Sequence, residues 1–151
     1  MTSVTIDVTL KSYGYLPFKV KKESANWYKL EDGTILKLIP ILMGVLANDK
    51  NNDGFLTNFI NNVTAFVPKK NRISPSTQIH ATQEVVNNMD KIDLPFTIIS
   101  EGYNEYVIDN KILLSVKTAL TQINKSKLRN NAGEPIYQIN TAPLIKIKPK
   151  K

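Results

Sequence analysis

The chain of 151 residues contains no cysteine, a single histidine and a single tryptophan. The absence of cysteine excludes disulfide bonds, thiolate metal ligands and cysteine nucleophiles. His80 alone cannot build a zinc site of the usual kind without cysteine partners, and we expect it to lie on the surface. Cysteine chemistry is therefore excluded, and histidine chemistry is limited to a single residue.

Long apolar runs and targeting segments are missing as well. The longest uncharged apolar stretch, residues 38–47, contains Pro40 and Gly44. It is about half as long as the ~20 residues that a membrane helix requires. The N-terminal segment has no basic region followed by an apolar run, so it does not resemble a secretory signal. We therefore expect a soluble, cytoplasmic protein with no membrane partner.

Acidic side chains are the minority, with 13 Asp and Glu against 20 Lys and Arg, which gives a formal net charge of +7. A basic protein can bind nucleic acid or an anionic surface. A moderate positive charge also simply keeps a small protein soluble. Net charge alone therefore does not choose between these two interpretations.

The sequence also lacks the short motifs of common enzymes, such as G-x-S-x-G, H-E-x-x-H and the phosphate-binding glycine loops. We expect a protein that is not an enzyme and holds no cofactor. The segment 49–56 resembles the first half of a calcium loop through Asp49, Asn51 and Asp53, but Ile60 stands where a bidentate glutamate should close the site. A polar turn explains these residues without a metal, so we reject the calcium site and expect no metal.

What the chain does contain is an internal repeat. LPFKVKKESANWYKL (16–30) returns as LPFTIISEGYNEYVI (94–108), 78 positions later, with six identities in fifteen positions. NNDGFLTNFIN (51–61) also matches NNAGEPIYQIN (130–140), at a spacing of 79. Two copies of one unit usually pack like a homodimer joined into one chain. The sequence predicts a tandem duplication, with a first β repeat at 1–72 and a second at 73–151, packed about a pseudo-twofold axis.

Alternation of apolar and polar residues predicts that the chain is all-β, with about five antiparallel strands in each repeat. EDGT (31–34) and DNK (109–111) predict hairpin turns, and Pro40 inside a long strand predicts an edge position or a bulge. Residues 77–90 could also form a helix, but their match to the alternating N-terminal segment favours a strand. The predicted core consists of Phe18, Val20, Tyr28, Leu30, Leu36, Leu38, Phe96, Ile98, Tyr106, Ile108, Leu114 and Val116.

Three polar residues recur in both repeats, as Glu23 and Glu101, Asn26 and Asn104, and Tyr28 and Tyr106. A functional interpretation is two equivalent small-ligand sites. We favour a structural one, in which Asn closes a turn and Tyr packs with its hydroxyl hydrogen-bonded.

A candidate binding surface is the outward face of the predicted first hairpin, which carries Lys19, Lys21, Trp27 and Lys29. A solvent-facing Trp among lysines can stack on a base while the lysines contact phosphates. At the corresponding positions of the second repeat, these residues are replaced by apolar or acidic ones and by one threonine.

The function predicted from the sequence is a non-enzymatic binding or assembly module that acts through a sheet face or edge. Self-association or a protein partner is favoured over nucleic acid. The alternative is a nucleic-acid-binding protein that uses the lysine and Trp27 face. A third hypothesis is an enzyme or small-ligand carrier with a site between the repeats, which a deep polar cleft would support and a packed interface would oppose.

Overall fold

The computed structural model describes residues 14–47, 55–73 and 82–150. This part of the chain is nearly all β and forms two antiparallel sheets. A 3-10 turn (Lys69–Asn71) and one short helix, α1 (Thr82–Asn87), are the helical elements described. The strands are β1 (Phe18–Lys22), β2 (Asn26–Leu30), β3 (Ile35–Ala47), β4 (Phe55–Phe66), β5 (Met89–Lys91), β6 (Phe96–Ser100), β7 (Asn104–Ile108), β8 (Ile112–Arg129) and β9 (Pro135–Pro149).

Both predicted hairpin turns are confirmed. Gly33 takes a φ of 92° between β2 and β3, and its N–H donates to the Leu30 carbonyl over 2.9 Å. Asp109 and Asn110 take φ values of 50° and 54° between β7 and β8. Two consecutive residues with positive φ match the twist of antiparallel strands, and Asp and Asn tolerate this conformation better than most side chains.

The two sheets exchange their short strands. The four-stranded sheet has the order β4-β3-β2-β6, and the five-stranded sheet has the order β1-β7-β8-β5, with β9 along the other side of β8. β1 therefore pairs with β7, where Phe18 lies opposite Ile108, and β6 pairs with β2, where Phe96 lies opposite Leu30. Each sheet contains strands from both sides of the predicted boundary between residues 72 and 73.

The apolar side chains pack into two clusters, and each cluster also draws on both halves of the chain. The first joins residues of β2 and β3 to Leu94 and to Leu120 and Ile123 of β8. The second joins residues of β7 and β8 to Leu42 and Val45 of β3. Burial on one half thus depends on side chains from the other, because a unit of ~70 residues has little core of its own.

Eight of the twelve predicted core residues are buried, namely Tyr28, Leu30, Leu36, Leu38, Tyr106, Ile108, Leu114 and Val116. Phe18 and Phe96 are half-buried and pack against the two clusters. The prediction is wrong for Val20 and Ile98, which are 53% and 57% exposed. Val20 lies on β1 and Ile98 lies on β6. Both strands are edge strands, so each residue has a neighbouring strand on one side only.

Two further predictions meet the structure differently. A strand was predicted across 77–90, but residues 82–87 form α1, and only Met89–Lys91 extend as β5. Pro40 lies on β3, an inner strand, opposite Asn61 of β4, while the pairing of β3 with β2 reaches only as far as Leu38. Around Pro40, β3 is therefore paired with a neighbouring strand on one side only, which accommodates a residue without an N–H.

Candidate functional site

The four residues of the predicted lysine and tryptophan face lie on two different sheets. Lys19 and Lys21 belong to β1 of the five-stranded sheet, where Lys19 lies opposite Val107 of β7. Trp27 and Lys29 belong to β2 of the four-stranded sheet. The strand exchange separates them, because β1 and β2 do not form a hairpin with each other.

Trp27 is half-buried and is flanked by side chains of its own sheet. Its indole stacks on the Phe66 ring, with centroids 6.2 Å apart and planes at 21°. The Lys37 ammonium lies 5.4 Å from the indole centroid, within the range of a cation–π contact. These neighbours reduce the ring surface that a base could stack on.

The repeated asparagines tie the two halves of the chain together. The Asn26 side chain donates to the Thr118 carbonyl over 2.9 Å and accepts from the Gly102 N–H over 3.0 Å. Asn104 donates to the Pro40 carbonyl over 2.8 Å and accepts from the Ser24 N–H over 2.9 Å. Both asparagines are buried. They do not close local turns, as the sequence suggested, but bridge strands that lie far apart along the chain.

The repeated tyrosines are buried with their hydroxyls bonded, as predicted. The Tyr28 hydroxyl donates to Glu101 over 2.6 Å and accepts from the Leu120 N–H over 3.3 Å. Tyr106 accepts from the Leu42 N–H over 3.4 Å. Burial, followed by the hydrogen bond to Glu101, raises the pKa of Tyr28 well above its usual range, so this phenol stays protonated.

A second polar cluster, centred on Asp32, was not recognised in the sequence. The Asp32 carboxylate accepts from the Tyr137 hydroxyl over 2.5 Å, from the Lys125 ammonium over 3.0 Å and from the Thr34 N–H over 2.9 Å. The Thr34 and Tyr137 hydroxyls lie 3.0 Å apart. Asp32 looked like a turn residue because its two side-chain partners follow it by about a hundred positions, and no local spacing reveals them.

The ionisation states of Asp32 and Tyr137 in this cluster suit a structural role. Burial raises the pKa of Asp32, but the hydrogen bonds from Tyr137, Thr34 and Lys125 outweigh it and hold that pKa below its usual value. Burial and the bond to Asp32 raise the pKa of Tyr137 above its usual range. Both carboxylate oxygens already accept hydrogen bonds, so the cluster fixes the 31–34 turn onto β8 and β9.

The sheet edges differ in how they are protected. Within the described residues, β4 and β6 form the two edges of the four-stranded sheet. β4 reads FLTNFINNVTAF, twelve residues without a charge, a proline or a glycine, and β6 reads FTIIS, five residues that also lack them. β1 carries three lysines in five residues. β9 carries two lysines and three prolines along its length. The uncharged composition of β4 is visible in the sequence, but its position at an edge is not.

The rejected calcium segment at Asp49, Asn51 and Asp53, and also His80, lie outside the described residues. Within the described ranges, no group of three or more His, Asp or Glu side chains could hold a metal ion. No helix in this part of the chain is long and apolar enough to cross a membrane. Comparison of the chain with protein families, curated proteins and solved structures finds no match.

Proposed function

We propose that the protein is a non-enzymatic assembly module, which pairs with a second copy of itself along the outer edge of β4. The observation that carries this proposal is the absence of any charge, proline or glycine from β4. An edge strand presents unpaired N–H and C=O groups, and proteins usually blunt such an edge with Lys, Pro or bulges. β1 and β9 carry these residues, whereas β4 and β6 do not. β6 has only five residues, and a short edge strand is itself protected, so β4 is the long unprotected edge.

The side chains of β4 favour contact with another apolar strand. Leu56, Ile60 and Phe66 are 56%, 48% and 51% exposed. Between them lie uncharged asparagines, which hydrogen-bond to a partner without requiring an opposite charge. A patch of this kind on one edge is typical of a surface that becomes covered by a partner.

A second copy is the occupant that this edge suits best. Two identical strands pair antiparallel about a twofold axis, so each copy presents the same surface to the other and the interface closes. Twelve residues extend over about 40 Å, which is long enough for a continuous ladder. The positive charge of the chain does not oppose this pairing locally, because β4 itself is neutral.

We attribute the architecture to a tandem duplication with a pseudo-twofold axis. The hydrogen bonds support it, since those of Asn26 and Tyr28 return in Asn104 and Tyr106 with every partner but the Glu101 carboxylate shifted by 78 positions. The strand pairings also return at this spacing, as Phe18 with Ile108 becomes Phe96 with Leu30.

The third hypothesis, a site between the repeats, receives less support. Where the halves meet in the interior, Asn26, Asn104, Tyr28 and Tyr106 are buried, and their polar side-chain atoms are hydrogen-bonded within the protein. A packed interface of this kind opposes a substrate cleft there.

Sedimentation-velocity measurements over a range of protein concentrations test the assembly proposal. We expect the wild-type chain to self-associate and Ile60→Lys, on β4, to weaken the association at least about tenfold, since each copy would place a charge in the shared ladder. Ile147→Lys on β9 is the matched control, because Ile147 is 49% exposed. Equal effects of the two variants, or a wild-type chain that stays monomeric throughout, would contradict the proposal.

A further inference from the structure

The outer face of the five-stranded sheet carries lysines at both sides and, in one row of residues, an apolar centre. Lys19 of β1 lies opposite Val107 of β7, which lies opposite Leu113 of β8, which lies opposite Lys148 of β9. Residues opposite each other in an antiparallel ladder point to the same face, and side chains alternate along each strand. The neighbours of Val107 on β7 are buried. This row therefore faces away from the core.

A second row runs parallel to the first. It consists of Lys22, Glu105, Ser115 and Lys146 on the same four strands. We call the face the lysine trough, with Lys19, Lys22, Lys146 and Lys148 as its walls. Its floor is apolar in the first row, at Val107 and Leu113, and polar in the second row, at Glu105 and Ser115. The walls are three strand spacings apart, about 14 Å.

The floor of the trough is recessed. A cavity of about 430 Å³ opens on it, lined by Lys21, Val107, Leu113, Lys148, Pro149 and Lys150. Three of these six residues are lysines, and the other three are apolar. An apolar floor with ammonium groups around it can receive a flat ring and an anionic group at the same time.

Most of these lysines are not neutralised by the protein. Lys21 lies 3.7 Å from the Glu105 carboxylate, and both side chains reach solvent. Among the described residues, Lys19, Lys22 and Lys148 have no carboxylate oxygen within 4.0 Å. Exposed ion pairs contribute little, so the trough keeps most of its positive charge.

An aromatic ring holds lysines in place at one end of the trough. The Lys146 ammonium lies 4.6 Å from the centroid of the Tyr103 ring, and the Lys117 ammonium lies 5.8 Å from it. Cation–π attraction of this kind restrains both side chains on the same face. Lys117 is also paired with Glu101 at 3.3 Å.

We propose that the lysine trough binds single-stranded nucleic acid, with phosphates along the lysine walls and unpaired bases over the apolar floor. Single strands combine a regular negative charge with exposed flat bases, which is what a basic groove with an apolar floor recognises. A duplex hides its bases, and lipid headgroups offer no flat apolar group for a recessed floor. This inference goes beyond self-association, because it uses the other sheet and a surface to which both halves contribute.

Fluorescence anisotropy with a labelled oligothymidylate of about 15 nucleotides tests the proposal on the full chain. If four lysines contact phosphates, log affinity should fall with log salt with a slope of about −2.8. The double variant Lys19→Gln, Lys148→Gln should bind at least about tenfold more weakly at low salt and reduce the slope to about −1.4. Replacing the same two residues by Arg should retain binding, since the charge is kept.

The control is Lys69→Gln, Lys70→Gln, which removes the same charge from the exposed 3-10 turn. It should leave both affinity and slope close to wild type. An equal loss in both double variants would mean a response to net charge alone and would overturn the proposal. Absence of oligonucleotide binding at low salt would also overturn it, and binding to vesicles that contain phosphatidylserine would then assign the trough to lipid headgroups. Increased aggregation of the trough variant with unchanged binding would identify the lysines as edge protection only.

Discussion

Replacing Asn26 by alanine is the sharpest perturbation of the link between the two halves. The change removes a 2.9 Å hydrogen bond to the Thr118 carbonyl and a 3.0 Å hydrogen bond from the Gly102 N–H. Thr118 is buried, so its carbonyl loses its side-chain partner where water cannot easily replace it. A buried group left without a partner costs about 1–3 kcal/mol.

The Gly102 N–H is only half-buried and should cost about 1 kcal/mol, because water can reach it more readily. We therefore expect Asn26→Ala to lower the free energy of unfolding by about 2–4 kcal/mol. Asn104→Ala should lose a similar amount, because it removes the corresponding bonds to Pro40 and Ser24. Asn131 is exposed, and its replacement by alanine should cost less than about 0.5 kcal/mol.

Urea unfolding, followed by the fluorescence of Trp27, measures these three values on the same scale. Trp27 is the only tryptophan, and it lies on β2, next to Asn26. Equal dependence of the free energy on urea in all variants would show that the comparison concerns stability alone. Losses below about 1 kcal/mol at both buried asparagines would refute the reasoning that they hold the halves together.

Three further predictions compare pairs of variants or follow the stability of a variant as the pH changes. In urea unfolding, Tyr28→Phe should lower the free energy of unfolding more than Tyr106→Phe does. Of the two hydroxyls, that of Tyr28 donates a hydrogen bond to the Glu101 carboxylate and also accepts one, whereas that of Tyr106 accepts one. Equal losses would contradict this prediction. The pKa of Asp32 is lowered in the folded protein, so its carboxylate stabilises the fold above the ordinary pKa of 3.8, and this stabilisation is lost as the pH falls through the lowered pKa. The loss of stability caused by Asp32→Asn should therefore shrink in acid titrations followed by circular dichroism. A loss of stability that stays constant with pH would count against this prediction. In thermal melts, Gly133→Ala should destabilise the protein by about 2 kcal/mol more than Gly14→Ala does. Both glycines have a positive φ, but only a Cβ at Gly133 would lie 1.9 Å from a backbone oxygen. Similar losses of stability in the two variants would oppose this prediction.

Among the described residues other than 82–87, which form α1, alternation in the sequence predicted which residues form strands and, for inner strands, which of them face the core. It could not predict strand partners, because a period of two fixes the face of a side chain and not its neighbour. The exchange of β1 and β6 is therefore invisible in the sequence. Val20 and Ile98 alternate like core residues, and only their edge position explains their exposure.

The sequence match between the last strands of the two halves, β4 and β9, rests on loop residues, and its spacing differs from that of the strands in the structure. Leu42 lies opposite Phe59, and Leu120 lies opposite Thr141, so strands β4 and β9 correspond at a spacing of 82 rather than 79 when β3 and β8 are matched at 78. The matched asparagines and glycines are residues that recur in any tight loop. They do not define the register of the strand that follows.

The candidate surfaces depended on tertiary structure even more strongly. Lys19 and Lys21 were recognised as part of a basic face, but the lysines that complete it, Lys146 and Lys148, follow about 125 residues later. Asp32 finds its partners Lys125 and Tyr137 only after the halves have packed. Such groups are brought together by strand pairing, for which a single sequence carries no local signal.

Hydrogen–deuterium exchange at low and high protein concentration tests the central claim, assembly through β4, most directly. In an edge strand, alternate amides have no partner within the sheet and exchange quickly, and pairing with a second copy would protect them. We predict that the amides of Phe55–Phe66 gain protection as concentration rises, while those of β1 and β9 do not change. Unchanged exchange along β4, or concentration-dependent protection confined to β1 or β9, would contradict the account.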